Sequence, residues 1–502
     1  MVRAEYPSIT EYLRSSLTLD DLRAIGIISF SQWEFALGAL ADVALAANAL
    51  GSDVAVALWA DETPLPDTGW ETSHLATRLL RTKANDERVH DGLLKAGLTE
   101  ANFPKPPIRS WKPVGMPALP DPLTRAAIRE LKYDGSGMGR SILQVHPDFN
   151  TPIRDDYVWP QRWISRAMKS YAWVYDQTTA LIKQRNLSTV VVYNGRFTHD
   201  QAVAAAAERA GVRVMYYDTG GLETDFELTT QSLHDWADLQ VRMRTMFDSW
   251  PDDDRDEVAS SWFLNRQSHS EPGFDVFVGS QTRGHLEGIP EAEQVVVYFS
   301  SSGDEIAELD LDWSEYLFSQ EQALADLAAA CRAKPGCILV VRTHPHMRLK
   351  PADDLSIWND AVQSAGPDIH LDASSPVDSY ELMRAADLVF TYGSTAGVEA
   401  AFLGKPVVIM GPSAYDLVEC ATRITKADEI SALLDSPPQH NTSNALLYGL
   451  MMQRRGFNFE YLNKNSAGDI DLAGVPIRGT SSKAMKVSHL RKERLFRWLT
   501  AK

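Results

Sequence analysis

"ADLVFTYGSTAGVEAAFLGKPVVIMG", running from Ala386 to Gly411, decides the fold. An apolar strand, Leu388 to Phe390, gives way to a polar turn, Gly393-Ser394-Thr395. A small-residue helix with one acid, Glu399, follows and is closed by Gly404-Lys405-Pro406 before a second apolar strand, Val407 to Met410. Strand, helix and strand at this spacing imply parallel pairing with the helix as the crossover. In such a sheet, chemistry belongs to the turns that leave the carboxyl ends of the strands.

Two blocks of the same pattern flank a polar stretch. In the first, AIGIIS (Ala24 to Ser29), VAVALW (Val54 to Trp59), TVVVY (Thr189 to Tyr193) and VRVMYY (Val212 to Tyr217) read as buried strands between helices. In the second, VVVYF (Val295 to Phe299), CILVVR (Cys337 to Arg342) and Ile369 to Leu371 precede the opening stretch. An acidic region, Asp248 to Ser270, separates the blocks. The expected fold class is α/β, with two facing Rossmann-like domains, parallel sheets and an interdomain cleft. Residues 1–270 are expected to form the N-terminal domain with helical insertions and 271–440 the C-terminal domain. Residues 441–502 are expected as a helical tail packing back on the first.

Several turns share one chemistry. Ser394 and Thr395, with the amides that open the following helix, suit an anion aided by the helix dipole. Glu399 lies four residues after Thr395, on the same helix face, where a carboxylate can accept hydrogen bonds from sugar or ribose hydroxyls. After Val341 come Arg342, His344, Pro345 and His346; the proline ends the strand, and the arginine and histidines offer N–H donors. After VVVYF come Ser300, Ser301, Ser302 and Gly303, a turn small enough for backbone to approach a phosphate. Singly, each has a plainer reading: a serine is an ordinary N-cap, His-Pro a turn, Glu399 a solvated helix residue, Lys405 an exposed turn residue. Three phosphate-friendly turns and a hydroxyl-binding acid in one half suit a sugar nucleotide.

Composition narrows the class. The 502 residues carry a net charge of -18, which argues against broad nucleic-acid binding. Three cysteines, Cys331, Cys337 and Cys420, make neither a disulfide framework nor a paired metal motif. The N-terminal residues lack the apolar core of a signal peptide, and no run approaches a membrane span, so a cytoplasmic location is expected.

On Ser300 to Glu305 with Trp313, His344-Pro345, and Ser394-Thr395 through Glu399-Ala400 to Gly404-Lys405-Pro406, the sequence resembles GT-B glycosyltransferases of the bacterial capsule and surface-polysaccharide group. The resemblance implies that His344, Ser394 and Thr395 hold the donor's nucleotide and phosphates, with Ser301, Ser302, Arg342 and Glu399 beside them. It also implies catalysis without a metal or other cofactor. No Asp-x-Asp motif stands near a strand end, and Asp252-Asp253-Asp254 reads as solvated charge in the polar stretch.

In the first block, Asn194-Gly195-Arg196 follows TVVVY, and Asp218-Thr219-Gly220-Gly221-Leu222-Glu223 follows VRVMYY. The second turn resembles the acid-glycine loop of capsule-type transferases, whose acid faces the acceptor. Inverting transfer needs a carboxylate to take the acceptor's proton, and Asp218 and Glu223 are the candidates. Asn194, Arg196 and Trp33 are candidate acceptor or cleft residues. Trp33 reads first as core packing, and His199-Asp200 as a helix-capping pair.

The last twenty residues, Lys483 to Lys502, hold seven Lys and Arg against one acid, Glu493. A helix there would pack back on the first domain or touch an anionic membrane surface peripherally. The expected activity is transfer of a sugar from a nucleotide sugar to a capsule-like polysaccharide or its lipid-linked precursor. A teichoic-acid-type CDP-glycerol glycerophosphotransferase, a sugar-nucleotide 2-epimerase and a non-catalytic sugar-binding scaffold are the alternatives.

Overall fold

The computed structural model describes residues 8–31, 33–60, 62–64, 75–144, 154–222, 224–269, 280–303, 308–309, 316–317, 319–350, 352–464 and 470–477. The chain divides into two compact units, one holding residues 155–233 and those from 455 onward with the N-terminal part, the other residues 234–454.

The sheet of the first unit is built from β1 (Ala24–Ser29), β2 (Asp53–Leu58), β3 (Thr189–Tyr193), β4 (Arg213–Thr219) and β5 (Asp225–Thr229). Strands β2, β1, β3 and β4 pair in parallel in that spatial order, and β5 adds antiparallel to β4. All of β1 is buried. Ile25 and Ile27 enter one core and Ala24 and Ile28 the other, as the two-residue period of a strand covered on both faces requires. The helix Glu34–Ala49 that follows is nearly all apolar and buried along most of its length. It carries one acid inward, Asp42, 1% exposed.

The second unit holds β6 (Gln294–Phe299), β7 (Cys337–Arg342), β8 (Ile369–Leu371), β9 (Leu388–Thr391), β10 (Val407–Ile409) and β11 (Thr422–Arg423). Their order across the sheet is β8-β7-β6-β9-β10-β11, every pair parallel. Counted from β6, this is the doubly wound 3-2-1-4-5-6 order, whose crevice opens beyond the carboxyl ends of the first and fourth strands. Those strands are β6 and β9, so the topology alone points to the turns after Phe299 and Thr391.

The boundary between units falls before His234 rather than at residue 270. Helix Trp236–Ser249, which precedes the stretch that reads as a polar separator, and helix Arg255–Gln267, within it, bury Leu239, Met243, Trp262 and Phe263 in the core of the second unit. Phe263 stacks on Phe402 with ring centroids 4.2 Å apart, and Trp262 meets Tyr448 edge-on at 5.3 Å. Helix Ala445–Arg454 packs in the same unit.

Among the described residues beyond it, up to 477, the regular elements are strands rather than helices. Strand β12 (Phe457–Asn458) pairs with β5, and β13 (Leu462–Lys464), β14 (Ile470–Leu472) and β15 (Val475–Ile477) form a small antiparallel sheet. Asp42 anchors this return, accepting the amides of Glu460 and Tyr461 at 2.8 and 3.1 Å. The basic segment 483–502 lies outside the described residues. No helix among the described residues is long and apolar enough to cross a membrane.

Candidate functional site

In the second unit the turns after β6, β7 and β9 meet at one cavity of about 250 Å³. Ser300, Ser301, Ser302, Arg342, His344, Ser394, Thr395 and Glu399 all line it. It lies where the strand order reverses, the place this topology reserves for ligands.

Backbone geometry shapes the β9 turn. Gly393 adopts φ +80, and a Cβ there would stand 2.1 Å from the Pro412 carbonyl oxygen, so only glycine fits without strain. Ser394 Oγ accepts the Ala396 amide at 3.3 Å, and its own amide donates to Thr391 Oγ1 at 3.1 Å. The helix that follows, Ala396–Phe402, is seven residues long. The dipole expected from the sequence is therefore short, and the turn's contribution to an anion site is chiefly its hydroxyls.

The β6 turn also departs from expectation. The Ser300 amide bonds the Arg342 carbonyl at 3.1 Å, the Ser301 amide bonds Gln320 Oε1 at 2.6 Å, and the Gly303 amide bonds Ser301 Oγ at 3.2 Å. Amides of Ser300, Ser301 and Gly303, expected to cradle phosphate, instead hold the loop, and all three serines line the cavity. Asp304, Glu305 and Trp313 lie outside the described residues.

Two side chains after Val341 supply donors. Arg342 is 1% exposed. Two of its nitrogens are fixed by the carbonyls of Asp372 and Ser375, at 2.8 and 3.3 Å, while Nε has no partner among the described residues. Burial lowers its pKa to about 10, which leaves it cationic at neutral pH. Among the described residues no acid side chain is hydrogen-bonded to it. His344 has its amide tied to Ser300 Oγ at 2.8 Å, and its Nδ1 accepts the His346 amide at 3.2 Å. A neutral ring so arranged carries its proton on Nε2 and is a donor there.

Glu399 is 4% exposed. One carboxylate oxygen accepts from the Tyr380 phenol. The other faces Arg266, whose Nε lies at 3.3 Å and Nη2 at 3.2 Å. Burial, then the charge of Glu399, raises the pKa of Tyr380, which stays a donor. Arg266 also lies over the Trp262 ring at 4.6 Å and lines the cavity with Tyr380 and Gln281. Sequence reading missed Arg266 because its helix looks like a solvated separator. Lys405 is no cavity ligand: its Nζ donates to the carbonyls of Arg384 and Ala386 at 2.6 and 2.9 Å.

In the first unit, Asn194 and Asp218 stand at the ends of adjacent strands β3 and β4 and bond directly, Nδ2 to Oδ2, at 2.5 Å. Asn194 takes φ +53, a left-handed conformation that asparagine tolerates better than most residues. The Thr219 amide donates to Asp218 Oδ1 at 2.7 Å. Burial raises the Asp218 pKa, opposed by those two bonds and by the charges of Arg196 and Arg455. A carboxylate whose affinity for a proton is raised by burial is suited to accept one. Arg196 lies 5.0 Å over the Phe197 ring. Trp33 is half-buried at the start of its helix and meets Phe35 edge-on at 5.4 Å. His199 and Asp200 are 1% and 0% exposed and lie inside the helix Thr198–Arg209, whose N-cap is Phe197, and His199 bonds Ser170 at 2.8 Å, so they are interior groups rather than the expected capping pair. Glu223 lies outside the described residues.

No family model and no curated protein sequence matches the chain. Solved structures do. A Thermosulfurimonas dismutans KpsC β-Kdo 2,7 transferase is 15% identical, with 55% of this chain and 80% of that one covered and a TM-score of 0.35. The UDP-GlcNAc 2-epimerase of Neisseria meningitidis, solved with UDP-GlcNAc, is 10% identical over 94% of this chain and all of its own, at 0.25. The wall teichoic acid polymerase TagF is 11% identical over 66% of this chain and 62% of its own, at 0.21. A Kdo transferase, a UDP-GlcNAc 2-epimerase and a wall teichoic acid polymerase are thus among the structures this chain is similar to.

Proposed function

We propose that this protein is a glycosyltransferase that moves a sugar from a nucleotide-sugar donor to a cell-surface polysaccharide or its lipid-linked precursor. One observation carries the reading: the turns after β6, β7 and β9 bring four serines, a threonine, a histidine donor and a buried arginine to one cavity at the reversal point of a doubly wound sheet. Neutral hydroxyl and imidazole donors beside a fixed guanidinium match the oxygens and charge of a nucleotide's phosphates.

In this reading the second unit binds the donor, with Arg342 and His344 stabilising the departing phosphate and Ser301, Ser302, Ser394 and Thr395 completing its hydrogen bonds. Glu399 serves the ribose or sugar hydroxyls. The first unit serves the acceptor, with Asp218 as the base that receives the hydroxyl proton, Glu223 as the other candidate, and Asn194, Arg196 and Trp33 beside them. Guanidinium and imidazole donors take the part a divalent cation plays elsewhere, so no metal or cofactor is required. Peripheral membrane contact through the basic C-terminal segment belongs to the same proposal, since a lipid-linked acceptor is presented at a membrane surface.

The test is calorimetric titration with UDP, GDP, CDP, CMP and dTDP. Mass spectrometry of products from the matching donor sugar and glycan acceptors then follows. Selective binding with transfer of a sugar mass supports the proposal. A product gaining phosphoglycerol, a donor epimerised without acceptor, or binding with no turnover each overturns it in favour of one of the alternatives.

A further inference from the structure

Two of the three cysteines meet at a helix-to-strand connection of the second unit. Cys331 lies in the last turn of helix Gln320–Ala333, and Cys337 opens β7. Lys334 ties the connection from both sides: its amide donates to the Cys331 carbonyl at 3.1 Å, and its carbonyl accepts the Cys337 amide at 3.3 Å. The chain is thereby turned back on itself, and Cys337 packs against the core cluster that contains Cys331. Both are free thiols, and they hydrogen-bond to each other.

Their surroundings differ in the way thiol–disulfide exchange uses. Cys331 is 2% exposed, whereas Cys337 is half-buried. The hydrogen bond from Cys331, and then the charge of Lys334, hold the Cys337 thiol below its ordinary pKa against burial and the Asp368 carboxylate. The same hydrogen bond, with burial, pushes the Cys331 thiol up. Reactive cysteines are partly exposed beside a positive charge, and inert ones are enclosed. We infer that Cys331 and Cys337 form a reversible disulfide by exchange with a low-molecular-weight disulfide, Cys337 attacking and Cys331 resolving. In the first step the Cys337 thiolate attacks one sulfur of the small disulfide, whose S–S bond breaks. One small thiolate leaves, and a mixed disulfide remains on Cys337. In the second, Cys331 gives its proton to the departed thiolate and attacks Cys337 Sγ, expelling the other small thiolate, which takes up the proton Cys337 had released. Two protein thiols are oxidised, and one small disulfide is reduced to two thiols. Burial fixes the order, because Cys331 is closed to the small molecule yet in contact with Cys337. The bond ties the end of the helix to the first residue of β7, the strand whose last residue, Arg342, lines the cavity.

The test treats the folded full chain with mixtures of oxidised and reduced glutathione, quenches by alkylation, and reads intact mass and a peptide map. The free-thiol count should fall from three to one, with a link between the peptides that carry Cys331 and Cys337 and no glutathione retained. Reduction should restore all three. Cys331→Ala should stop at the mixed disulfide, with one glutathione held on Cys337. Cys337→Ala should leave Cys331 unmodified while the melting profile shows the chain folded. Glutathione retained on Cys337 of the wild type overturns the inference, as does modification confined to Cys420. Three thiols that stay unreactive in the folded chain, or a link that forms only in denaturant, overturn it equally. Should Cys331→Ala fail to fold, the wild-type map and Cys337→Ala decide. A native link that Cys337→Ala abolishes, with Cys331 left free of glutathione, supports the inference; glutathione on Cys331 of the folded variant overturns it.

Discussion

Asn194 and Asp218 lie at the carboxyl ends of neighbouring parallel strands and share a 2.5 Å hydrogen bond from amide nitrogen to carboxylate oxygen. The strand register makes this contact possible: Tyr193 pairs with Tyr217, so the next residue on each strand is brought side by side. The bond opposes the burial that raises Asp218's pKa. Asparagine therefore controls where the carboxylate titrates as well as where it points.

Removing that bond shifts the titration in a defined direction. Asn194→Ala deletes a donor that favours the ionised form, so the Asp218 pKa rises further. The acid limb of kcat/KM should move to higher pH, by a little under one unit for a bond worth about 1 kcal/mol. Asp218→Asn should reduce turnover by about a hundredfold or more while nucleotide affinity stays near wild type. A full-rate Asp218→Asn enzyme would remove this residue from the mechanism and leave Glu223 as the candidate base.

On the donor side, His344→Ala and Ser394→Ala remove side chains that line the cavity. His344 is aligned through Nδ1 by the His346 amide, so its loss deletes an oriented donor without touching the core. Nucleotide affinity measured calorimetrically should fall about tenfold for His344→Ala, in the range of a charge-assisted hydrogen bond. Ser394→Ala should show a smaller loss, because its hydroxyl also accepts the Ala396 amide and part of the cost falls on the turn.

These sites were legible to different degrees. The strands were plain because parallel sheets are covered on both faces, and runs such as VVVYF and TVVVY have no polar face to hide. The donor cavity followed, since its side chains sit directly after those strands. Strand β5, DFELT, escaped because its buried Asp225 and Glu227 break any apolar run. Helix Arg255–Gln267 escaped because only Ala259, Trp262 and Phe263 of its thirteen residues are buried, too few to mark it as part of a core. Arg266 with Glu399 and Asp42 with Glu460 are joined across long stretches of chain, and no local spacing foretells them.

Asp42 gives the first unit a pH-dependent anchor. Burial raises its pKa to about 7, from the ordinary carboxylate value, despite the two amides it accepts. Between the ordinary value and about 7 the folded state holds a proton that the unfolded chain has released. Stability from this group is therefore fully present below the ordinary carboxylate range and lost as pH rises to about 7. Asp42→Asn removes the titration. Its destabilisation relative to wild type, followed by denaturant unfolding, should be larger at pH 5 than at pH 8. A penalty independent of pH would show that Asp42 is ionised throughout.

Gly393 tests whether the β9 turn must keep its shape. At φ +80 any side chain is strained, and the Cβ of Gly393→Ala would stand 2.1 Å from a backbone oxygen of Pro412 that cannot rotate away. The turn has to open, and Ser394 and Thr395 move with it. A stability loss of about 1–3 kcal/mol is expected from the backbone conformation alone, with more from the clash. Gly404, which also has positive φ, has open space around its Cβ position, so Gly404→Ala meets the strain without the clash. Gly393→Ala should therefore lower the melting temperature more than Gly404→Ala and should alone weaken nucleotide binding. Equal effects of the two on affinity would mean that the shape of the β9 turn does not govern the site.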